Sequence, residues 1–126
     1  MPYKIMMSIV CIVPLIFSLA FVAIPEFFVL QWYPSAEGLA LEIAITHRYD
    51  MAGMLFMVVC FAFLSRNVEG VDNQKAILLG AAIAFSAMCA VIISIALFRG
   101  IPLDIPPMIA TGTIAALSFW SRSKLS

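Results

Sequence analysis

The chain has 126 residues, of which 64% are hydrophobic and only 11% are charged. Soluble domains average about 45–50% apolar and about 25% charged residues, and a soluble domain of this length cannot bury so many large apolar side chains. Seven basic and seven acidic residues give a net charge of zero, which excludes the basic surface of a nucleic-acid-binding protein. The composition therefore predicts one domain, residues 1–126, embedded in the lipid bilayer.

Four apolar segments predict four membrane-spanning helices. They cover residues 5–24, 45–64, 76–98 and 105–120, and each approaches the roughly 20 helical residues that cross a hydrocarbon core of about 30 Å. Helices are expected because lipid offers no hydrogen-bond partner to an unpaired backbone. The predicted fold is an all-α, four-helix transmembrane bundle.

The first span begins like a secretory signal peptide, because Lys4 precedes an apolar run that ends in small residues. The run continues to Ile24 and fills a membrane thickness, which favours a retained helix. Pro14 is expected to kink this helix.

The outer loop, residues 25–44, mixes acidic and apolar side chains. Leu39, Leu41 and Ile43 alternate with Glu37 and Glu42, a pattern that indicates a helix lying on the membrane surface over part of the loop.

The second span opens on a polar segment that contains His47, Arg48 and Asp50. Only fifteen residues separate Asp50 from Arg66, which gives about 22 Å of helix at about 1.5 Å per residue. A span of about 30 Å must therefore include all three polar residues. Ionisable residues within a membrane are candidate functional residues.

Helical geometry places these side chains on different faces of the second span. At about 100° per residue, His47 and Asp50 are expected to face the bundle together with Gly53 and Met54. Arg48 then reaches the surface or pairs with another residue such as Glu26.

The fourth span is also short, at about 24 Å, and it begins beside Asp104. Two short spans that end on the same side predict a polar vestibule open to water. Its candidate ligand-binding residues are Glu26, His47, Arg48, Asp50, Arg99 and Asp104. The alternative is a set of interfacial charge pairs, such as Arg99 with Asp104.

Small residues recur at every fourth position of the third span and again in the fourth. This spacing lets helices approach closely in lipid. The face serves packing inside the bundle or contact with another subunit, and the sequence leaves both open. It consists of Ala82, Ser86, Ala90 and Ser94, with Gly112 and Ala116.

The distribution of Lys and Arg predicts the orientation. Five of these residues flank one side of the spans, against Arg48 and Arg99 on the other. The richer side is expected to be cytoplasmic, together with both termini. The five are Lys4, Arg66, Lys75, Arg122 and Lys124.

Cofactor ligands are not apparent in the sequence. Cys11, Cys60 and Cys89 lie inside apolar runs and are expected to be buried thiols. The methionines of the second span invite a copper site, but a spacing of three turns them progressively around the helix, which favours packing. A single histidine does not supply a bis-histidine haem site, so neither a metal nor a cofactor is predicted.

Three short segments carry a resemblance to known proteins: Ala-Ile-Pro-Glu at 23–26, Arg-Tyr-Asp-Met-Ala-Gly at 48–53, and Ser-Arg at 65–66. Their spacing resembles uncharacterised bacterial four-helix membrane proteins of the DoxX-like grouping, over most of the chain. The resemblance implies the four-helix fold and a multi-pass protein of the bacterial inner (plasma) membrane. That grouping often carries an arginine inside the third span, whereas Arg99 stands at its outer end.

The leading interpretation is a non-enzymatic accessory or assembly subunit of a membrane complex, or a homo-oligomer, that uses the small-residue face. The alternative is a binder or carrier of a lipophilic, quinone-like ligand that uses the outer vestibule. His47-Arg48 resembles the His-Arg segment that approaches quinone in the membrane anchors of succinate dehydrogenase. No nucleophile–base pair is identifiable, so catalysis is not expected.

Overall fold

A computed structural model describes residues 1–126 as five helices without a strand. The all-α prediction is therefore confirmed. Three of the helices, α1, α3 and α4, are long and apolar enough to cross a membrane, by length and composition. The helices are α1 (Tyr3–Ala23), α2 (Pro25–Trp32), α3 (Gly38–Ser65), α4 (Val71–Arg99) and α5 (Ile105–Ser123).

The outer loop is mostly helical. Residue Ile24 leaves helical geometry, with φ −136° and ψ 53°, because the residue before a proline is disfavoured in the α region. Pro25 then starts α2 at a position where proline needs no hydrogen-bond partner. The loop thus contains a separate helix, α2, whereas the alternating residues 39–43 form the first turns of α3, since no proline interrupts the chain from Gly38 to Ser65.

α1 and α3 pack as an antiparallel pair. Side chains of α1 bond to carbonyl oxygens of α3 in reverse order along the chain: Tyr3 Oη donates to Ser65 O at 2.7 Å, and Ser18 Oγ donates to Ala52 O at 2.9 Å. Pro14 is buried within α1, which remains helical on both sides of it. α2 folds back against α3 beside this pair.

α4 and α5 form the second antiparallel pair. Cys89 Sγ of α4 lies 3.7 Å from Met108 O of α5. A Cβ atom added at Gly112 would lie 3.6 Å from the same sulfur, so the two helices approach closely at this glycine. Gly100, with φ 63°, ends α4 in the left-handed conformation that favours glycine at this position.

The main core lies at one end of the molecule, which we call the terminal end. Residues of α1 there, including Met6, meet Ala62 of α3, Leu78 of α4 and Ile114 of α5. Ser121 Oγ donates to Met1 O at 2.9 Å. Both chain termini and the α3–α4 connection thus lie at this same end.

Most of the apolar surface of the helices is uncovered by the chain itself. Only 20 of 126 residues are buried, and large apolar side chains project from all three candidate spans. Such continuous apolar exposure is typical of a surface covered by lipid or by another membrane subunit. The fold therefore supports a membrane protein.

Candidate functional site

Arg48 is the only charged residue that the fold buries, with 6% of its surface exposed. It lies on α3 at the end of the molecule opposite the terminal end, one turn before Ala52, which accepts the bond from Ser18 of α1. Arg48, Ala52, Val59 and Ala62 are the buried residues of α3. They form one stripe along the helix, so the guanidinium points between α3 and the junction of α1 and α2.

Two aromatic rings enclose the guanidinium group. Its Cζ atom lies 5.3 Å from the ring centroid of Phe21 in α1 and 4.9 Å from that of Trp32 in α2. Both distances fall within the range of cation–π attraction. Phe28 packs edge-on against Phe21, with ring centroids 4.9 Å apart, so the enclosure belongs to one aromatic cluster.

The hydrogen bonds of Arg48 are few and long. Nη2 donates to Phe28 O at 3.4 Å, and Nη1 donates to Met51 Sδ at 3.8 Å. Most N–H···O bonds measure about 2.7–3.2 Å, and a thioether sulfur is a weak acceptor. Because arginine carries five N–H donors, this buried cation is poorly satisfied. A buried charge in this condition is costly.

Asp104 is the acidic residue that acts on Arg48. It is half-buried and precedes the first turn of α5, in the connection outside the helices. Burial raises the pKa of the Asp104 carboxyl, and the charge of Arg48 and the nearby Trp32 indole oppose this effect in part. Arg48, Trp32 and Asp104 thus form one polar centre, to which α3, α2 and the residue before α5 each contribute one side chain.

The predicted orientation of the second span is wrong. His47 and Asp50 are exposed, as is Gly53, and Met54 is 66% exposed. Arg48 faces the interior instead, because the stripe that contacts α1 contains Ala52 and Ala62, whose small side chains let the two helices approach. His47 is turned about 100° away from Arg48, and Asp50 about 200°.

Two other predicted site residues also lie apart from the polar centre. Glu26 and Arg99 are exposed, and the Arg48 guanidinium bonds to Phe28 and Met51 rather than to Glu26. The charge that acts on Asp104 is that of Arg48, not that of Arg99. Of the six predicted residues, the structure brings together Arg48 and Asp104.

The aromatic partners of Arg48 were missed at the sequence level. Phe21, Phe28 and Trp32 lie 16 to 27 positions before Arg48 in the chain, so no local pattern links them. The one available signal was Pro25, which predicts a bend after the first span. Such a bend returns the following aromatic residues toward the start of the second span.

The small-residue face divides between the interior and the surface. Ala82 is fully buried, whereas Ser86, Ala90 and Ser94 are exposed. Ser86 and Ala90 line a groove of about 420 Å³ together with Gly112 and Ala116 of α5. The Ser94 hydroxyl donates to Ala90 O at 2.7 Å.

The cysteines do not share one environment. Cys11 and Cys89 are half-buried, but Cys60 is exposed, so the expectation of a buried thiol at Cys60 is wrong. Val59, the preceding residue, occupies the buried stripe of α3 in its place.

Comparison with known proteins returned no match among protein-family models, curated proteins or solved structures.

Proposed function

We propose that this chain crosses the bacterial inner membrane four times, with both termini in the cytoplasm, and binds a lipophilic small molecule near the outer surface. α5 supplies the fourth crossing in this proposal. Its antiparallel packing on α4 and the placement of both termini at one end support it. The excess of Lys and Arg beside that end supports the orientation, and the resemblance to DoxX-like proteins, which implies a four-helix fold, supports the number of crossings.

The observation that carries the ligand proposal is the under-bonded guanidinium of Arg48. Its two hydrogen bonds measure 3.4 Å and 3.8 Å, and a carbonyl or carboxylate oxygen would replace them with shorter, charge-assisted bonds. The ligand class is therefore a lipophilic molecule with acceptor oxygens, such as a quinone. Trp32, which is half-buried beside the guanidinium, is the aromatic ring that such a ligand would contact.

Asp104 limits what the site accepts. A half-buried carboxyl near Arg48 repels a fully anionic ligand when it is ionised, so a neutral acceptor such as a quinone carbonyl fits the centre better than a phosphate. When Asp104 is protonated, it can donate a hydrogen bond of its own to such a carbonyl.

Trp32 is a built-in reporter for this proposal. A quinone bound at Arg48 would lie near the Trp32 indole and quench its fluorescence. Trp120 lies beside Ser121 at the terminal end, far from Arg48, so its fluorescence would only add a background signal. The experiment titrates a decyl-substituted benzoquinone into the Trp120→Phe variant, which retains Trp32 as its only tryptophan. We expect saturable quenching.

Variants of Arg48 test whether this quenching belongs to the site. Arg48→Gln should weaken the probe about tenfold or more, the loss expected for a hydrogen bond to a charged group. Arg99→Gln, which removes an exposed arginine of the same outer side, should leave the affinity unchanged. Quenching that never saturates, or that survives Arg48→Gln, would refute the proposal.

A second candidate is the accessory or assembly subunit, and the exposed half of the small-residue face favours it. Of the three candidate membrane spans, α4 has the smallest buried share of its apolar segment, 17% against 33% for α1. Ser86 and Ala90 remain open beside Gly112 and Ala116, where another membrane helix could approach closely. Purification of the tagged protein in mild detergent should then recover a stoichiometric membrane partner or an oligomer, whereas a monomer would count against it.

A further inference from the structure

A crevice lies at the junction of α1 and α2, separate from the polar centre around Arg48. It has a volume of about 530 Å³, and six of the eight residues that line it are hydrophobic. It exists because the chain turns at Ile24, so that α2 departs from the axis of α1 and leaves a gap toward Ile45 and Tyr49 of α3. Arg48 is absent from its lining.

The polar groups of this crevice are one carboxylate and one phenol, those of Glu26 and Tyr49. Its lining contains no basic side chain. Glu26 stands in the first turn of α2, where the partial positive charge of the helix N-terminus favours a carboxylate. The crevice thus presents a fixed acidic group without a cation to match it.

Two aromatic rings line the same crevice as this carboxylate. Tyr49 is 48% exposed and Phe27 is 56% exposed, and both line the crevice. A crevice that holds a carboxylate and exposed aromatic rings suits an ammonium group, which gains from both the opposite charge and the cation–π attraction. The remaining walls, including Leu30 and Ile45, are apolar and suit a hydrocarbon chain.

The crevice also lies at the depth of lipid headgroups. Glu26 follows the last residue of α1, a candidate membrane span, by three positions, and polar headgroups begin where the hydrocarbon core ends. Ile24, which lines the crevice, and Val22, two residues before it, are exposed apolar side chains that lipid would cover. A bilayer lipid can therefore enter without leaving the membrane.

We propose that this crevice binds a phospholipid whose headgroup ends in an ammonium group, such as phosphatidylethanolamine. The ammonium lies between Glu26 and the rings of Tyr49 and Phe27, and the start of an acyl chain lies against Leu30 and Ile45. This inference is independent of the Arg48 ligand, because the two sites share no lining residue.

Native mass spectrometry of the detergent-purified protein tests the proposal. The protein is offered an equimolar mixture of phosphatidylethanolamine and phosphatidylglycerol with identical acyl chains, so that only the headgroup differs. We expect a preference for phosphatidylethanolamine of roughly threefold to tenfold, as a partly exposed charge pair and a cation–π contact provide.

Two variants and one control assign that preference to the crevice. Glu26→Gln should abolish it, and Tyr49→Leu, which keeps the carboxylate but removes a ring, should reduce it. Glu37→Gln, a matched change at an exposed acidic residue between α2 and α3, should leave it intact. Absence of any preference in the wild type, or the wild-type preference in both crevice variants, would overturn the proposal, and neither result bears on quinone binding at Arg48.

Discussion

Arg48 is held by aromatic rings and weak hydrogen bonds, not by a directly bonded acidic partner. Cation–π contacts contribute about 0.5–2 kcal/mol each, whereas burial of a charge without good partners costs several kcal/mol. The balance at this residue is therefore unfavourable for folding. This cost is the reason for the proposal that Arg48 serves ligand binding, since ionisable residues within a membrane are candidate functional residues.

This balance predicts the behaviour of Arg48→Met, which keeps a long side chain but removes the charge. The variant should be at least as stable as the wild type, because it removes the cost of burying a poorly bonded guanidinium, and Asp104, which loses that positive charge, is only half-buried. It should also lose quinone quenching of Trp32. Thermal unfolding in detergent measures the first effect. A decrease in the free energy of unfolding of more than about 2 kcal/mol would show that Arg48 mainly stabilises the fold.

Asp104 predicts a dependence of stability on pH. Burial raises its pKa in the folded protein above the ordinary value, so the folded state holds this proton more tightly than the unfolded chain does. As the pH rises from about 4 through the raised pKa, the unfolded chain loses its proton first, and stability falls. At lower pH both states are protonated and the effect disappears.

Asp104→Asn removes this contribution while keeping a polar residue before α5. The melting temperature of the variant minus that of the wild type should therefore increase from acidic to neutral pH. A difference in melting temperature that stays constant across the pH range would contradict the raised pKa. A difference that instead decreases toward neutral pH would mean that attraction to Arg48 outweighs burial.

At the scale of helices, the sequence located four of the five helices but not their ends, and α2 lies within the predicted loop. The predicted spans 45–64 and 76–98 lie within α3 and α4, which extend to Gly38–Ser65 and Val71–Arg99. Hydropathy identifies what lipid can cover, whereas a helix continues through polar residues such as Asp72 and Asn73 once its backbone bonds are established.

The candidate site was predicted in part, for a related reason. The length needed to cross the membrane identified Arg48 as a candidate residue, and the shortness of the fourth span identified Asp104. The rotation of α3 was not predictable from those lengths, because it depends on which stripe fits α1. Ala52 and Ala62 make that fit, and their role is visible only once α1 lies against them.

The close approach of α4 and α5 makes a prediction at Gly112. A Cβ atom there would meet Cys89 Sγ at 3.6 Å, an ordinary contact, so Gly112→Ala should be tolerated and should stabilise the helix by up to about 1 kcal/mol. Gly112→Leu should force the helices apart and lower stability by about 1–3 kcal/mol. Thermal unfolding of the two variants checks this, and equal tolerance of both would contradict close packing at Gly112.

At the scale of the whole molecule, two helix pairs are joined mainly at the terminal end. α1 packs on α3 and α4 packs on α5, and the shared core around Met6, Leu78 and Ile114 connects the pairs. At the other end the polar centre reaches from α3 to Asp104 at the start of α5. A ligand at Arg48 would therefore bind where the two pairs are least tightly joined.

Topology distinguishes three crossings from four. Reporter fusions at Met1 and Ser126 should both indicate the cytoplasm, because α5 returns the chain to the terminal end. A reporter inserted between Gly100 and Asp104 should indicate the opposite side. Termini on opposite sides of the membrane would require an odd number of crossings and would refute the four-span architecture.

The most direct test of the central claim is the set of small molecules that accompanies the protein from its native membrane. Wild-type, Arg48→Gln and Arg99→Gln proteins are purified in the same mild detergent, and the lipophilic molecules that accompany each are quantified by mass spectrometry. We expect one enriched molecule with carbonyl or similar acceptor oxygens, present with wild type and Arg99→Gln and absent with Arg48→Gln. The same molecules in equal amounts with all three proteins would contradict it.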